Sequence, residues 1–197
     1  MAERDRREKA TFVPQDRTSW REWLVKHSND SEGVWVIIQK KNSDLPGITY
    51  EEAVEEAVAF GWIDSKINTV DTKSFKQLFT PRKPGSIWSK SNKNRVERLL
   101  QKGLMTEKAL KKIEEAKKDG TWNQLDKIDK IQIPQDFEKI LHLNKLARRN
   151  FDAYNDSLKK QVIWWIESAK REETRKNRIK LAVTMAAENR KSFTVAN

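Results

Sequence analysis

The chain has no cysteine. That excludes disulfides, thiolate zinc sites and cysteine nucleophiles together, and it suits a reducing compartment without requiring one. The two histidines, His27 and His142, stand far apart and have no neighbours at ligand spacing. Local pattern therefore supports neither a histidine-based triad nor a zinc site, and no cofactor or metal is expected. The phosphate-cradling, dinucleotide-binding, nucleophile-elbow and zinc-protease motifs are missing, as are repeats and low-complexity tracts. No stretch approaches the roughly 18 apolar residues that span a bilayer, and the opening MAERDRREKATFVPQ lacks the apolar core of a secretory signal. No membrane span and a cytoplasmic location are the expectation.

What is present is a folded, basic protein. Hydrophobic residues make up 37%, with eight Trp and seven Phe, enough to exclude a disordered chain despite 35% charged residues. At 197 residues the chain can form one large domain or two small ones. The net charge of +11 gives a positive field that favours anionic partners. A lysine-rich soluble surface would give the same number.

The densest stretch of unusual residues runs from Ile48 to Asn94. Before it, residues 1–17 read as a flexible basic leader. Thr18 or Ser19 then caps a helix carrying Trp20, Trp23 and Leu24, and Val34 to Lys40 reads as a buried strand. Thr49 opens the next helix, with Glu52 completing a capping box and Ala53, Val54, Ala57 and Val58 as the apolar stripe. Glu51, Glu52, Glu55 and Glu56 fill the other side. Carboxylates at helical spacing can serve metal or acid–base chemistry, but early in a helix they also suit the dipole, and a solvated face is the preferred reading. Gly61 fits the left-handed position after that helix. Ile63 to Val70 and Ser74 to Thr80 follow as a hairpin with a turn near residues 70–73, ended by Pro81.

Residues 81–95, PRKPGSIWSKSNKNR, hold five Lys or Arg and no acid. Anion recognition needs this mixture: neutral donors, a guanidinium able to grip two oxygens, and less directional cations. Trp88 can stack on a base or sugar. Equally, Trp88 can cover the core while Ser86 or Ser89 caps the next helix. Beyond it, Val96, Leu99 and Leu100 belong to a helix ending at Gly103. Thr106 caps another, with Leu110, Ile113 and Ala116 on its apolar face. Residues 123–134 read as a connection with weakly strand-like Ile128, Ile131 and Ile133. Residues 135–197 read as a helical region, whose last helix starts with a basic run that should meet acidic groups in the fold or an external anion.

The strings YEEAVEEAVAFGWIDSK, FTPRKPGSIWSKSN, VERLLQKGLMT, AKKDGTW and WWIESAKREETRKNRI resemble the bacterial YdeI/OmpD-associated, or bacteriocin-protection, family, from about Trp20 to Arg190. The resemblance implies a role in tolerance of bacteriocins or cationic antimicrobial peptides. It also implies a shared site at Gly61, Trp62, Asp64, Ser65, Arg82, Lys83, Ser86, Trp88, Lys90 and Asn92.

The expectation is an α+β protein: a small antiparallel sheet flanked by helices over residues 18–122, then a helical C-terminal region. Its expected role is cytoplasmic stress protection through an anionic small molecule or a phosphate-containing ligand. Arg82 would grip the anion, Lys83 and Lys90 would add charge, and Trp62 and Trp88 would wall the site, with Ser65, Ser86 and Asn92 beside them. Asp64 would orient a basic residue or a ligand hydroxyl, and alanine at Arg82 should leave stability nearly unchanged. Two alternatives stay open: an enzyme with Asp64 as general base beside Ser65 and Lys66, and a nucleic-acid-binding protein.

Overall fold

The computed structural model describes residues 9–41 and 43–191. The chain divides into two compact units, Met1–Gln124 and Leu125–Asn197, each with its own apolar core.

In the first unit Thr11–Phe12 (β1), Val34–Gln39 (β2), Trp62–Thr69 (β3) and Ser74–Pro81 (β4) form a sheet in the order β1-β2-β4-β3. β4 runs antiparallel to both neighbours, as expected, while β1 adds parallel to β2 and makes the sheet mixed. Residues 11–12 are thus a strand where a leader was expected, because Phe12 packs on Trp20 and Trp23 with ring centroids 6.0 and 5.9 Å away. Residues 1–8 of that leader lie outside the described residues. Along β2, Val34, Val36 and Ile38 are buried and Trp35, Ile37 and Gln39 half-buried, so the strand gives its core residues to one face. The hairpin turn has no strong turn dipeptide. Instead the Asp71 carboxylate accepts from the backbone N–H groups of Lys73 and Ser74, both at 2.7 Å.

Among the described residues four helices join the sheet in this unit: Arg17–His27 (α1), Tyr50–Ala59 (α2), Lys90–Gln101 (α3) and Glu107–Lys118 (α4). Asp16, rather than Thr18 or Ser19, caps α1, with Ser19 returning the bond in a capping box. Thr49 and Glu52 form the expected box on α2, and Thr106 caps α4. Trp20, Leu24, Ala53, Ala57, Trp62 and Phe79 are fully buried against the sheet. Trp20 stays satisfied there by donating its indole N–H to the Ala53 carbonyl at 3.0 Å.

The acidic side of α2 corrects the expected solvated face. Glu56 is 2% exposed and accepts from Arg17 Nε at 2.6 Å and Arg21 Nη1 at 2.7 Å. Glu55 meets Arg17 at 3.1 Å and Arg98 at 2.8 Å. Glu51 takes both Nε (3.0 Å) and Nη2 (2.5 Å) of Arg95, and the hydrogen bond from Arg95 is the main reason its carboxyl sits below the usual range. Among the described residues no cluster of His, Asp or Glu could hold a metal ion.

The second unit consists of Asp126–Asp129 (α5), Gln135–Leu143 (α6), Lys145–Asp152 (α7), Asp156–Glu167 (α8) and Glu172–Ala187 (α9). Residues 126–129 are a helical turn burying Ile128, not the strand-like connection that alternation suggested. Phe137, Leu141, Phe151, Val162, Ile166 and Ile179 centre its core, with the Phe137 and Phe151 rings edge to face at 5.3 Å. The basic run near the start of α9 meets groups within this unit. Arg175 grips Asp136 at 2.6 and 2.9 Å and reaches Glu167 at 2.9 Å, while Lys176 pairs with Glu172 at 2.7 Å. No helix of the described residues is long and apolar enough to cross a membrane.

Replacing Glu56 with alanine should lower unfolding stability by about 1–3 kcal/mol in a denaturant titration, since it strands Arg21 and leaves Arg17 with Glu55 alone, both arginines being about a third exposed. A second test concerns acid. The hydrogen bond from Arg175 holds the Asp136 carboxyl below its usual range, so its contribution is present above the unfolded value of about 3.9 and fades as pH falls through the folded one. Asp136→Asn should therefore flatten the acid dependence of stability below about pH 4, read by circular dichroism.

Candidate anion site

β4 stops at Pro81, which cannot donate to the ladder, and the chain turns through Lys83–Ile87 before α3. Ser89 caps that helix, its hydroxyl accepting the Asn92 N–H at 3.3 Å. The basic loop is therefore shorter than the sequence implied. Lys90 begins a helix, and the Asn92 side-chain oxygen accepts from Arg95 Nη1 at 2.9 Å.

Arg82 is only 3% exposed. Its guanidinium carbon lies 3.7 Å from the centre of the Trp88 ring, a cation–π stack, and Trp88 is itself 2% exposed in the core. Nη1 donates to the Ile87 carbonyl at 3.3 Å. Neither Nε nor Nη2, both buried, has a protein acceptor. Burial pushes the Arg82 pKa down to about 10, with the field of Asp64 acting in the opposite sense, so the group remains charged at neutral pH. Its burial against Trp88 means that alanine there would empty packed space, which counters the expectation of unchanged stability.

The Arg82 backbone is fixed at both ends of its peptide unit. Its N–H donates to the Gly61 carbonyl at 3.0 Å, and its carbonyl accepts the Lys112 ammonium. Burial, then the charge of Lys108, lowers the Lys112 pKa. Gly61 has φ +73°, and a Cβ there would stand 2.8 Å from Lys112 Cδ and 3.3 Å from Ala109 Cα. Glycine thus serves both the left-handed exit of α2 and the passage of the lysine stem.

Arg82, Lys83, Ser86 and Trp88 line a shallow cleft with Lys112, Glu115 and Asp119 of α4 and its cap, and with Thr121 beyond. Its roughly 270 Å³ is mostly space open to solvent at the mouth, so the enclosed part is far smaller than a drug-sized pocket. Asp119 ties the far wall together. The Thr121 hydroxyl (2.6 Å) and N–H (2.9 Å), and then the Gly85 N–H, hold its carboxyl below the usual range.

The other expected residues lie apart from this cleft. Trp62 is buried in the core, its indole N–H donating to the Ser28 carbonyl at 3.4 Å. Asp64 accepts from the Tyr50 hydroxyl at 2.9 Å, and burial, then this bond, pushes the Tyr50 pKa up to about 12. Ser65 sits in a bulge of β3 between Asp64 and Ile67 and donates to the Leu78 carbonyl at 3.2 Å. Asp64, Ser65, Lys90 and Asn92 therefore do not line the cleft with Arg82. Sequence reasoning missed Lys112, Glu115, Asp119 and Thr121. Only the Asp-Gly-Thr turn at 119–121 was a visible signal, and nothing in it points to a loop some 30 residues earlier.

Compared with known families, residues 12–112 match one described as a domain of unknown function (DUF8412). That match covers just over half of the chain, which belongs to this family. Residues 130–189, within the helical second unit, match the family described as Bacteriocin-protection, YdeI or OmpD-Associated. The resemblance read from the sequence thus holds over the C-terminal segment, while the cleft lies within the other match or just beyond its end. No curated protein and no solved structure matches the chain.

If Asp119 holds the loop as the geometry indicates, Asp119→Ala should accelerate amide hydrogen exchange at Gly85 and Thr121. Protection in the sheet should not change.

Proposed function

We propose that this chain is a stress-protection protein of the bacteriocin or antimicrobial-peptide tolerance type that works in the cytoplasm by binding a small anionic ligand. The family match over residues 130–189 supports the bacteriocin-protection role in coarse terms. One observation carries the anion: Arg82 is buried, and two of its three guanidinium nitrogens have no protein acceptor. A buried charge without a full set of partners is costly, and an incoming anion would supply the missing acceptors. Lys83 and Lys112 raise the local potential, the Ser86 hydroxyl braces the rim by donating to the Lys83 carbonyl at 2.6 Å, and Trp88 holds the guanidinium plane. The shallow cleft fits a small anion better than a nucleotide, and nucleic acid would need an extended basic face.

Arg82→Met keeps a stem against Trp88 and deletes the charge. The variant should unfold within about 1 kcal/mol of the wild-type protein, since exchanging a buried charge for an apolar group is often neutral or stabilising. It should also lose any thermal shift produced by small anions. Retention of the anion response in Arg82→Met would sink the reading.

A further inference from the structure

We infer that the anion held at Arg82 is a monocarboxylate gripped edge-on by Nε and Nη2. The inference rests on the anion-binding reading above and names its ligand class.

The first support is the shape of the donor. Nε and Nη2 share one edge of the guanidinium and form a planar fork matched to two oxygens of one carboxylate or phosphate. Elsewhere the protein uses that same edge on carboxylates. Arg95 places Nε and Nη2 at 3.0 and 2.5 Å from the two oxygens of Glu51, and Arg175 places them at 2.6 and 2.9 Å from those of Asp136. At Arg82 the third nitrogen, Nη1, is already engaged by Ile87, which leaves the fork as the edge without protein acceptors.

The second support is charge. Three cations line the cleft, Arg82, Lys83 and Lys112, with two carboxylates, Glu115 and Asp119. The balance is a single positive charge, which one monoanion neutralises. A phosphate dianion would meet excess negative charge from Glu115 and Asp119 in a partly desolvated place. Pro84, Ala116 and Trp88 add apolar lining for the carbon end of an organic acid.

Entry requires movement, because neither fork nitrogen exposes surface. The part of the lining that would have to yield is the exposed turn at Lys83, Pro84 and Gly85, which Asp119 holds through the Gly85 N–H.

The test is a titration of the full chain with formate, acetate, inorganic phosphate and chloride at constant ionic strength and pH 7.5. It follows the Arg82 Nε–H resonance by NMR and the melting temperature. Acetate or formate should shift that resonance saturably and raise the melting temperature, with phosphate at least ten-fold weaker. Arg82→Lys, which keeps the charge and loses the fork, should weaken acetate at least ten-fold. Phosphate binding more tightly than acetate at the same resonance would overturn the carboxylate assignment and leave anion binding at Arg82 standing. No shift of that resonance with any anion would overturn both. A short peptide with a free C-terminus, run beside its amide, separates the two sources of the carboxylate. Response to the free-acid peptide alone, with no response to acetate, would place it at a chain end, and response to acetate would place it on a small molecule; either upholds the class.

Discussion

The first unit depends on a clamp of charge around α2. One side of this helix buries Ala53, Val54, Ala57 and Val58, and the other presents Glu51, Glu55 and Glu56 to four arginines, two from α1 and two from α3. Surface ion pairs taken singly contribute little. Here Glu56 and Arg95 are themselves buried, so the pairs they form are also packing contacts, and neither outer helix can shift without exposing a charge it has covered. Through this clamp α2 fixes where its own C-terminus releases the chain into β3.

Against that fully paired network, Arg82 is the exception. Arg17, Arg21, Arg95 and Arg98 all find carboxylates in this unit. Arg82 has a carbonyl, an aromatic face and the field of Asp64. Among the described residues of this unit, Arg82 alone leaves half of its guanidinium unsatisfied in the interior, and a buried charge without its full set of partners is costly. Binding sites often take this form, since groups arranged for a ligand are imperfectly arranged for the fold alone.

The local grammar of the chain was legible. The capping box at Thr49, the cap at Thr106 and the proline ending β4 follow from residue chemistry acting over three or four positions, and the structure carries each of them. The site was only half legible, for three physical reasons. A basic residue in a basic loop reads as solvated, so the burial of Arg82 under Trp88 was invisible. The helix begun at Ser89 draws Lys90 and Asn92 away from the loop they adjoin in sequence. The opposing wall comes from α4, and no periodicity announces which helix a loop will face. The same limit governed the acidic side of α2: four glutamates near a helix start satisfy the dipole equally well with or without arginines across from them.

Gly61 illustrates how such distant dependence is built. It was read from the sequence as a stop signal, and it is one. Yet its carbonyl also holds the Arg82 N–H, and its missing side chain is the space through which Lys112 reaches the Arg82 carbonyl. Three tasks, ending a helix, anchoring a loop and admitting a lysine, thus share one hydrogen atom in place of a methyl group. Inheritance can vary Lys83 or Ser86 piecemeal, but a change at position 61 disturbs a turn, a loop and a cation at once, so the route by which this cleft can be remodelled runs through its rim and not through its floor.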